Sequence, residues 1–180
     1  REIVLSYVFG ASAITDAYLI SQTIPNVIFS FIGAGIATGF IPLYSGILKR
    51  EGQCEANKYT NNLSNSLLLL ASITVAFVLL YTQPIVKLFA TGFSGETLTL
   101  AIRFTRISVI GIYFASQVSI FTGFLQIHDN YIVPALLGFP MNLVIIISVF
   151  VSTKTNVVTL VLGRIFASIA QLLLLIPFVR

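Results

Sequence analysis

The sequence predicts an all-α membrane protein that crosses the bilayer six times. Of its 180 residues, 57% are apolar and 9% are charged, whereas about 25% of the residues of a soluble domain are charged. Apolar runs of about 20 residues, the length that a bilayer-crossing helix needs, recur along the whole chain. Runs such as Leu172–Ile176 do not alternate with polar residues as barrel strands do. Helices are therefore expected, because they satisfy their own backbone hydrogen bonds in lipid.

The six predicted spans lie between polar segments and helix-breaking residues. They are residues 3–23, 25–48, 63–89, 98–127, 131–151 and 157–179. The first follows Arg1 and Glu2, and the second begins at Pro25, a residue that often starts or breaks a helix. The third ends at residue 89, after Pro84 and before the segment 91–95, whose composition is typical of a turn.

The last three spans are joined by short polar loops. The fourth span carries Arg103 and Arg106 in its first turns. The loops 128–130 and 152–156 are short enough to predict antiparallel helical hairpins. All six spans are assigned to one membrane unit, residues 1–180.

The distribution of charged and metal-ligating residues excludes several classes of protein. The formal net charge is +4, but the Lys and Arg residues are scattered, which is not the pattern of a nucleic-acid-binding arm and suits anionic lipid. One cysteine, Cys54, and one histidine, His128, exclude a disulfide framework and argue against a zinc site. The sequence also lacks phosphate-binding loops and catalytic triad motifs. We therefore expect no catalytic residue, no metal, no cofactor and no nucleic-acid partner.

Asp16 lies near the middle of the first predicted span. A charge at the bilayer centre costs at least about 2.5–3.5 kcal/mol on insertion scales. The carboxylate is therefore expected to face a bundle interior or a water-filled cavity, or to be protonated. One interpretation is a group that binds a cation, a proton or a substrate. The other is a carboxylate that pairs with a neighbouring helix for assembly only.

Four arginines are further candidate site residues. Arg1 lies about 22 Å from Asp16 on a straight helix, so the two are not partners. Arg1 is either a snorkelling end residue or, if the protein continues upstream, an intramembrane guanidinium suited to phosphate. Arg103 and Arg106 share one helix face and are expected to bind lipid headgroup phosphates or a ligand. Arg164 lies about 10 Å into the last span. Its long side chain can either face a cavity or extend to the membrane surface as an anchor.

Small residues and prolines predict how two of the helices pack and bend. Gly35 and Gly39 form a G-x-x-x-G motif, which predicts close helix packing rather than a ligand site. Pro140, with Gly138 nearby, predicts a kink that serves either as a hinge or as a static bend.

Ten short segments resemble, in their order along the chain, the sequence of one known family. They are Arg1–Val4, Phe9–Ser12, Thr15–Tyr18, Ile24–Asn26, Phe40–Pro42, Thr91–Ser94, Arg103–Ile107, Pro134–Ala135, Asn142–Ile145 and Ala170–Leu174. The family is that of the MurJ/MviN lipid II flippases, which belong to the superfamily of multidrug and polysaccharide exporters.

The resemblance implies a transporter of fourteen helices, arranged as two six-helix lobes plus two further helices. This chain would be most of the first lobe, from a parent chain that is longer at both ends. The resemblance further implies the bacterial plasma membrane, an inside amino terminus and alternating access between this lobe and a C-terminal lobe. The implied cargo is lipid II, the undecaprenyl-diphosphate-linked precursor of peptidoglycan.

The resemblance also implies substrate-binding residues. Arg1 matches a first-helix arginine that faces the central cavity, where it can hold the diphosphate. Asp16 matches the carboxylate of a Thr-Asp pair, and Asn26 belongs to a Pro-Asn turn. Phe29 and Ser30 stand where family members often carry paired arginines, which leaves another polyprenyl-linked saccharide open as the cargo.

The leading hypothesis is a flippase for a lipid-linked saccharide that performs no covalent catalysis. Its expected partners are the lipid-linked precursor, the C-terminal lobe, membrane lipids and a coupling cation. The alternative is a cation-coupled exporter of drugs or of another lipid-linked oligosaccharide, in which Asp16 would bind the ion. A third hypothesis, a membrane scaffold built only of packed helices, predicts that Asp16→Asn is tolerated.

Overall fold

The computed structural model describes residues 1–179, except for the side chain of Ala37. Within that range the chain forms nine α-helices, a terminal 3₁₀ turn and no strand, which confirms the predicted all-α class. The helices are α1 (Glu2–Phe9), α2 (Ala13–Glu51), α3 (Gln53–Leu80), α4 (Thr82–Phe89), α5 (Gly95–Ser108), α6 (Gly111–Ile127), α7 (Ile132–Leu136), α8 (Gly138–Lys154) and α9 (Val158–Leu175), followed by the 3₁₀ turn Ile176–Phe178.

The predicted boundary between the first two spans is wrong. The first span is interrupted after α1, where Gly10 has a φ of 61°, a left-handed conformation that favours glycine. Ser12 then caps α2, because its Oγ accepts a hydrogen bond from the Thr15 backbone N–H at 3.4 Å. The Thr15 hydroxyl in turn donates to the Gly10 carbonyl at 2.9 Å. The chain therefore breaks between two helices at residues 10–12 rather than at residue 24.

Helix α2 continues through Pro25 and Pro42 as one helix of 39 residues. A proline removes one backbone donor, but membrane helices tolerate it because neighbouring groups satisfy the freed carbonyl. At 1.5 Å per residue, α2 is about 58 Å long, nearly twice the roughly 30 Å thickness of the hydrocarbon core. A short α1 and a long α2 thus replace the predicted spans 3–23 and 25–48.

The predicted count of six crossings is not confirmed. Within residues 1–179, four helical segments are long and apolar enough to cross a membrane: Ala13–Glu51, Gln53–Leu80, Ile132–Lys154 and Val158–Phe178. Helices α5 and α6 make a fifth if this pair, bent by 43°, is one broken span. Short breaks also separate α3 from α4 and α7 from α8. Local backbone breaks, which the apolar pattern does not reveal, account for the difference.

Close helix packing occurs between α8 and α9, not at the G-x-x-x-G motif. A Cβ at Gly163 would overlap the side chain of Ser148 on α8, so the two helices approach through a glycine. Among the described residues, by contrast, nothing lies within 4 Å of where a Cβ at Gly35 or Gly39 would be. The close packing predicted for that motif is therefore not made by the described residues.

Large aromatic side chains set the spacing between α2 and α3 instead. The rings of Phe40 on α2 and Tyr59 on α3 stack with centroids 6.1 Å apart. Gly35 and Gly39 line an open apolar groove between these two helices. Aromatic rings, rather than glycines, thus make the contact between α2 and α3 at this point.

The packing of α2 leaves a gap beside the α8–α9 pair. Helix α2 packs on α5 and α6, which in turn pack on α9, and α1 packs on α8. A buried apolar cluster that includes Leu5, Tyr18, Phe104, Val149 and Leu160 ties these helices together. The gap between the N-terminal half of α2 and the α8–α9 pair holds the candidate site.

Candidate binding cleft

A cleft lies between α1, α2, α8 and α9. Its polar side chains are Arg1, Glu2, Tyr18, Gln22, Asn26 and Arg164. Apolar residues from three helices form the rest of the wall: Leu5, Leu19, Ile145 and Val149. Apolar walls with a few convergent polar groups are typical of ligand-binding sites.

The cleft continues past Asn26 toward the bend between α5 and α6. A second space lies there, and Gln22, Asn26 and Arg164 border both spaces. Phe29 and Ser168 line the second space but not the first. Because three side chains are shared, the two spaces form one cleft with Arg164 at their junction.

Three polar residues of the cleft lie at four-residue intervals on α2. Tyr18, Gln22 and Asn26 follow one another at i, i+4 and i+8, which places them on one helix face. Sequence reasoning singled out Asn26 but missed Tyr18 and Gln22. The spacing was the available signal, but it becomes visible only when α2 is read as one helix through Pro25.

Hydrogen bonds hold Gln22 against α5. Its Nε2 donates to the Ser108 hydroxyl at 3.2 Å, and the Ser108 hydroxyl lies 3.4 Å from that of Ser21. The Ser21 hydroxyl donates to the carbonyl of Tyr18 at 2.7 Å. This chain of polar groups fixes the Gln22 side chain at the cleft wall.

The side chain of Arg1 borders the cleft beside Leu5. Its guanidinium lies 3.7 Å from a carboxylate oxygen of Glu2, and the Glu2 side chain is 74% exposed. An exposed ion pair of this length contributes little. Arg1 therefore remains available to an anion in the cleft.

Arg164 borders the cleft rather than reaching to the surface as an anchor. It lies on α9 and is half-buried, with its Nη1 donating to Met141 Sδ at 3.4 Å. The Ser168 hydroxyl donates to the Arg164 carbonyl at 3.2 Å. Of the two positions that the sequence allowed for this residue, the cavity position is the observed one.

The sequence predicts Asp16 near the middle of a span, but the structure places it in the first turn of α2. Its backbone N–H donates to the Ser12 carbonyl at 3.0 Å, and the residue is exposed. It does not border the cleft, and it lies about 15 Å along the helix axis from Asn26. A carboxylate in this position is stabilised by the positive end of the helix dipole.

Arg103 and Arg106 also lie outside the cleft. Both are exposed on α5, and Arg106 lies in its last turn. The structure thus brings Arg1, Asn26 and Arg164 together but not the other three predicted site residues. Two guanidiniums and one exposed carboxylate give the cleft a positive charge that attracts anions.

Comparison with known proteins identifies similar sequences along nearly the whole chain. The family model described as lipid II flippase MurJ matches residues 5–180. The chain is 31% identical over 172 residues to the lipid II flippase MurJ of Thermosipho africanus, covering 94% of this chain and 35% of that relative. It is 28% identical over 186 residues to a probable lipid II flippase MurJ of Buchnera aphidicola subsp. Baizongia pistaciae, covering 100% of this chain and 36% of that relative.

A solved structure shows the same fold. The structure of a lipid II flippase MurJ in an inward closed conformation matches with a TM-score of 0.81 at 29% sequence identity. The match covers 97% of this chain and 37% of that protein. The chain therefore spans little more than a third of the length of the proteins to which it is similar.

Proposed function

The chain belongs to the MurJ family of lipid II flippases, and we propose that it is part of a transporter for a polyprenyl-diphosphate-linked saccharide in the bacterial plasma membrane. Proteins of this family are membrane transporters rather than catalysts. The proposed cargo is lipid II, the molecule for which the relatives are named.

The positive charge of the cleft is the single observation that carries this proposal. Arg1 and Arg164 border the cleft together with one carboxylate, that of Glu2. Guanidinium groups bind phosphate oxygens through paired N–H donors, and apolar walls strengthen such contacts by excluding water. The charge supports a phosphate-bearing cargo and argues against the amphipathic cations that a drug exporter would carry.

Neutral donors complete the proposed binding surface. Asn26 borders both parts of the cleft, as does Gln22, and amide side chains can donate to sugar or phosphate oxygens. We assign them to orientation of the headgroup, while the arginines supply most of the attraction.

The predicted site residues outside the cleft receive different proposed roles. Asp16 is exposed at the start of α2, which supports a role in responding to a coupling cation rather than in holding cargo. Arg103 and Arg106, exposed on one face of α5, are proposed to bind phosphates of membrane lipids.

A second lobe is part of the proposal. Because this chain spans 35% and 36% of the length of two relatives, we propose that a C-terminal lobe of the parent chain forms the other wall of the transport path. Alternating access between the two lobes would then expose the cleft to each side of the membrane in turn.

The test is Arg1→Ala in the full-length protein, expressed in a bacterial strain depleted of its own lipid II flippase. Because the substitution removes one of the two cationic groups of the cleft, we expect the cells to stop growing. We also expect lipid II to be no longer accessible at the outer face of the plasma membrane. The matched control is Arg50→Ala, since Arg50 is exposed in the last turn of α2 and lies outside the cleft. Immunoblots of membrane fractions establish that both variants are inserted in equal amounts.

Normal growth and normal lipid II accessibility with Arg1→Ala would contradict the proposed function. Resistance to amphipathic cations, conferred by the wild-type protein without any effect on lipid II, would support the alternative exporter instead.

A further inference from the structure

Arg164 occupies a distinctive place in the cleft. It lies on α9 and borders both of the spaces that make up the cleft, as Gln22 and Asn26 on α2 also do. It is the charged member of this shared set. A ligand that fills either space therefore lies beside Arg164.

The protein itself offers Arg164 little compensation for its charge. In the described part of the chain, the acceptor within hydrogen-bonding distance of the guanidinium is Met141 Sδ, at 3.4 Å. A thioether sulfur is a weak acceptor, and a guanidinium carries five N–H donors. The ion pairs among residues 1–179 are Arg1–Glu2 and Lys58–Glu55, so Arg164 is not paired with a carboxylate there. A half-buried charge in a membrane helix is costly unless an opposite charge compensates it.

Arg164 shares its sulfur acceptor with a second polar residue on the same helix. Gln171 Nε2 donates to Met141 Sδ at 3.4 Å and to the Leu137 carbonyl at 3.2 Å, at the break between α7 and α8. Gln171 and Arg164 therefore donate to the same sulfur, that of Met141, beside the cleft. The weak Arg164–Met141 contact is readily exchanged for a stronger one with an anion.

We propose that Arg164 is the second anion-binding arginine of the cleft and determines its preference for a diphosphate over a monophosphate headgroup. The inference rests on the proposed function. Arg1, which precedes α1, and Arg164 on α9 border the same space, and each guanidinium fork can bind one phosphoryl group of a diphosphate through paired N–H donors. A monophosphate occupies one fork and leaves the other without a partner.

The test compares two soluble probes, farnesyl diphosphate and farnesyl monophosphate, by titration calorimetry with the purified full-length protein. Arg164→Gln should weaken binding of the diphosphate by about tenfold or more and leave binding of the monophosphate nearly unchanged. Arg164→Lys keeps the charge but loses the planar fork, so it should recover part of the diphosphate affinity. Arg50→Gln, which removes an exposed arginine outside the cleft, is the matched control and should bind both probes like the wild type.

The ratio of the two affinities separates a binding role from a structural one. An equal loss for both probes, or no change for either, in Arg164→Gln would overturn the inference while leaving the proposed function intact. If Arg164→Gln does not fold, the same ratio measured with Arg164→Lys decides the question. A wild-type protein that binds neither probe would overturn the proposed function together with the inference.

Discussion

A methyl group added at Gly163 should force α8 and α9 apart. The Cβ of Gly163→Ala would overlap Cβ and Oγ of Ser148 and would lie 3.7 Å from Cα of Ser148. Since ordinary contacts between carbon atoms lie at about 3.5–4.0 Å and a Cβ cannot rotate away, the helices would have to separate by more than about 1 Å. A gap of about 1 Å already forfeits roughly half of the dispersion energy of the contacts it opens.

We expect Gly163→Ala to lower the free energy of unfolding of the full-length protein by about 1–3 kcal/mol, the usual cost of overpacking. The measurement is a denaturant titration in mixed micelles. Ser148→Gly removes both overlapping atoms, so the double variant should recover much of the loss. Gly35→Ala is the matched control, because no described residue lies within 4 Å of its added Cβ and alanine favours helix over glycine.

The double variant Gly163→Ala/Ser148→Gly also tests whether steric overlap causes the loss of stability. If the effects of Gly163→Ala and Ser148→Gly add within about 0.5 kcal/mol, the two positions do not interact and the overlap is not the cause. A loss of stability in Gly35→Ala equal to that in Gly163→Ala would be equally damaging. Since Arg164 follows Gly163 directly, transport should fall in Gly163→Ala and return in the double variant.

Two further predictions concern the first turn of α2. Ser12→Ala should lower the free energy of unfolding by about 0.5–1 kcal/mol, the low end for an N-cap, because the Ser12–Thr15 hydrogen bond is long at 3.4 Å. Hydrogen exchange of the backbone amides should become faster in the first turn of α2, and unchanged exchange would contradict the capping role. Asp16→Asn removes a favourable dipole interaction worth about 0.3–1 kcal/mol, a loss that high salt should reduce. Transport should nevertheless fall in Asp16→Asn if the carboxylate responds to a coupling cation, and unchanged transport at full expression would reject that proposal.

Composition was sufficient to predict the class of the fold, because few charges and long apolar runs leave helices as the stable solution in lipid. The family followed from the ordered set of short motifs. Helix boundaries could not be predicted as well, since they depend on local backbone details. The positive φ of Gly10 ends α1, and the capping hydroxyl of Ser12 begins α2. Both lie within a segment that was predicted as one continuous apolar span.

The position of Arg164 shows a second limit of sequence reasoning. Helical rise gives its depth in the membrane but not the direction in which it points. That direction depends on which face of α9 packs against α8, and the close approach of Gly163 to Ser148 identifies that face. The next residue lies about 100° around the helix, and the Arg164 side chain borders the cleft.

One boundary error also concealed the wall of the cleft. With a break predicted at residue 24, Tyr18 and Gln22 fall on one helix and Asn26 on another, so the four-residue spacing carries no meaning. In the continuous α2 the same three residues form a single polar stripe that crosses Pro25. Proline therefore does not divide the site here. Pro25 lies within the wall of the cleft, and because it has no N–H, the Ser21 carbonyl lacks its usual helical donor. The hydroxyl groups of Ser21 and Ser108 lie close to each other, and that of Ser108 accepts a hydrogen bond from Gln22.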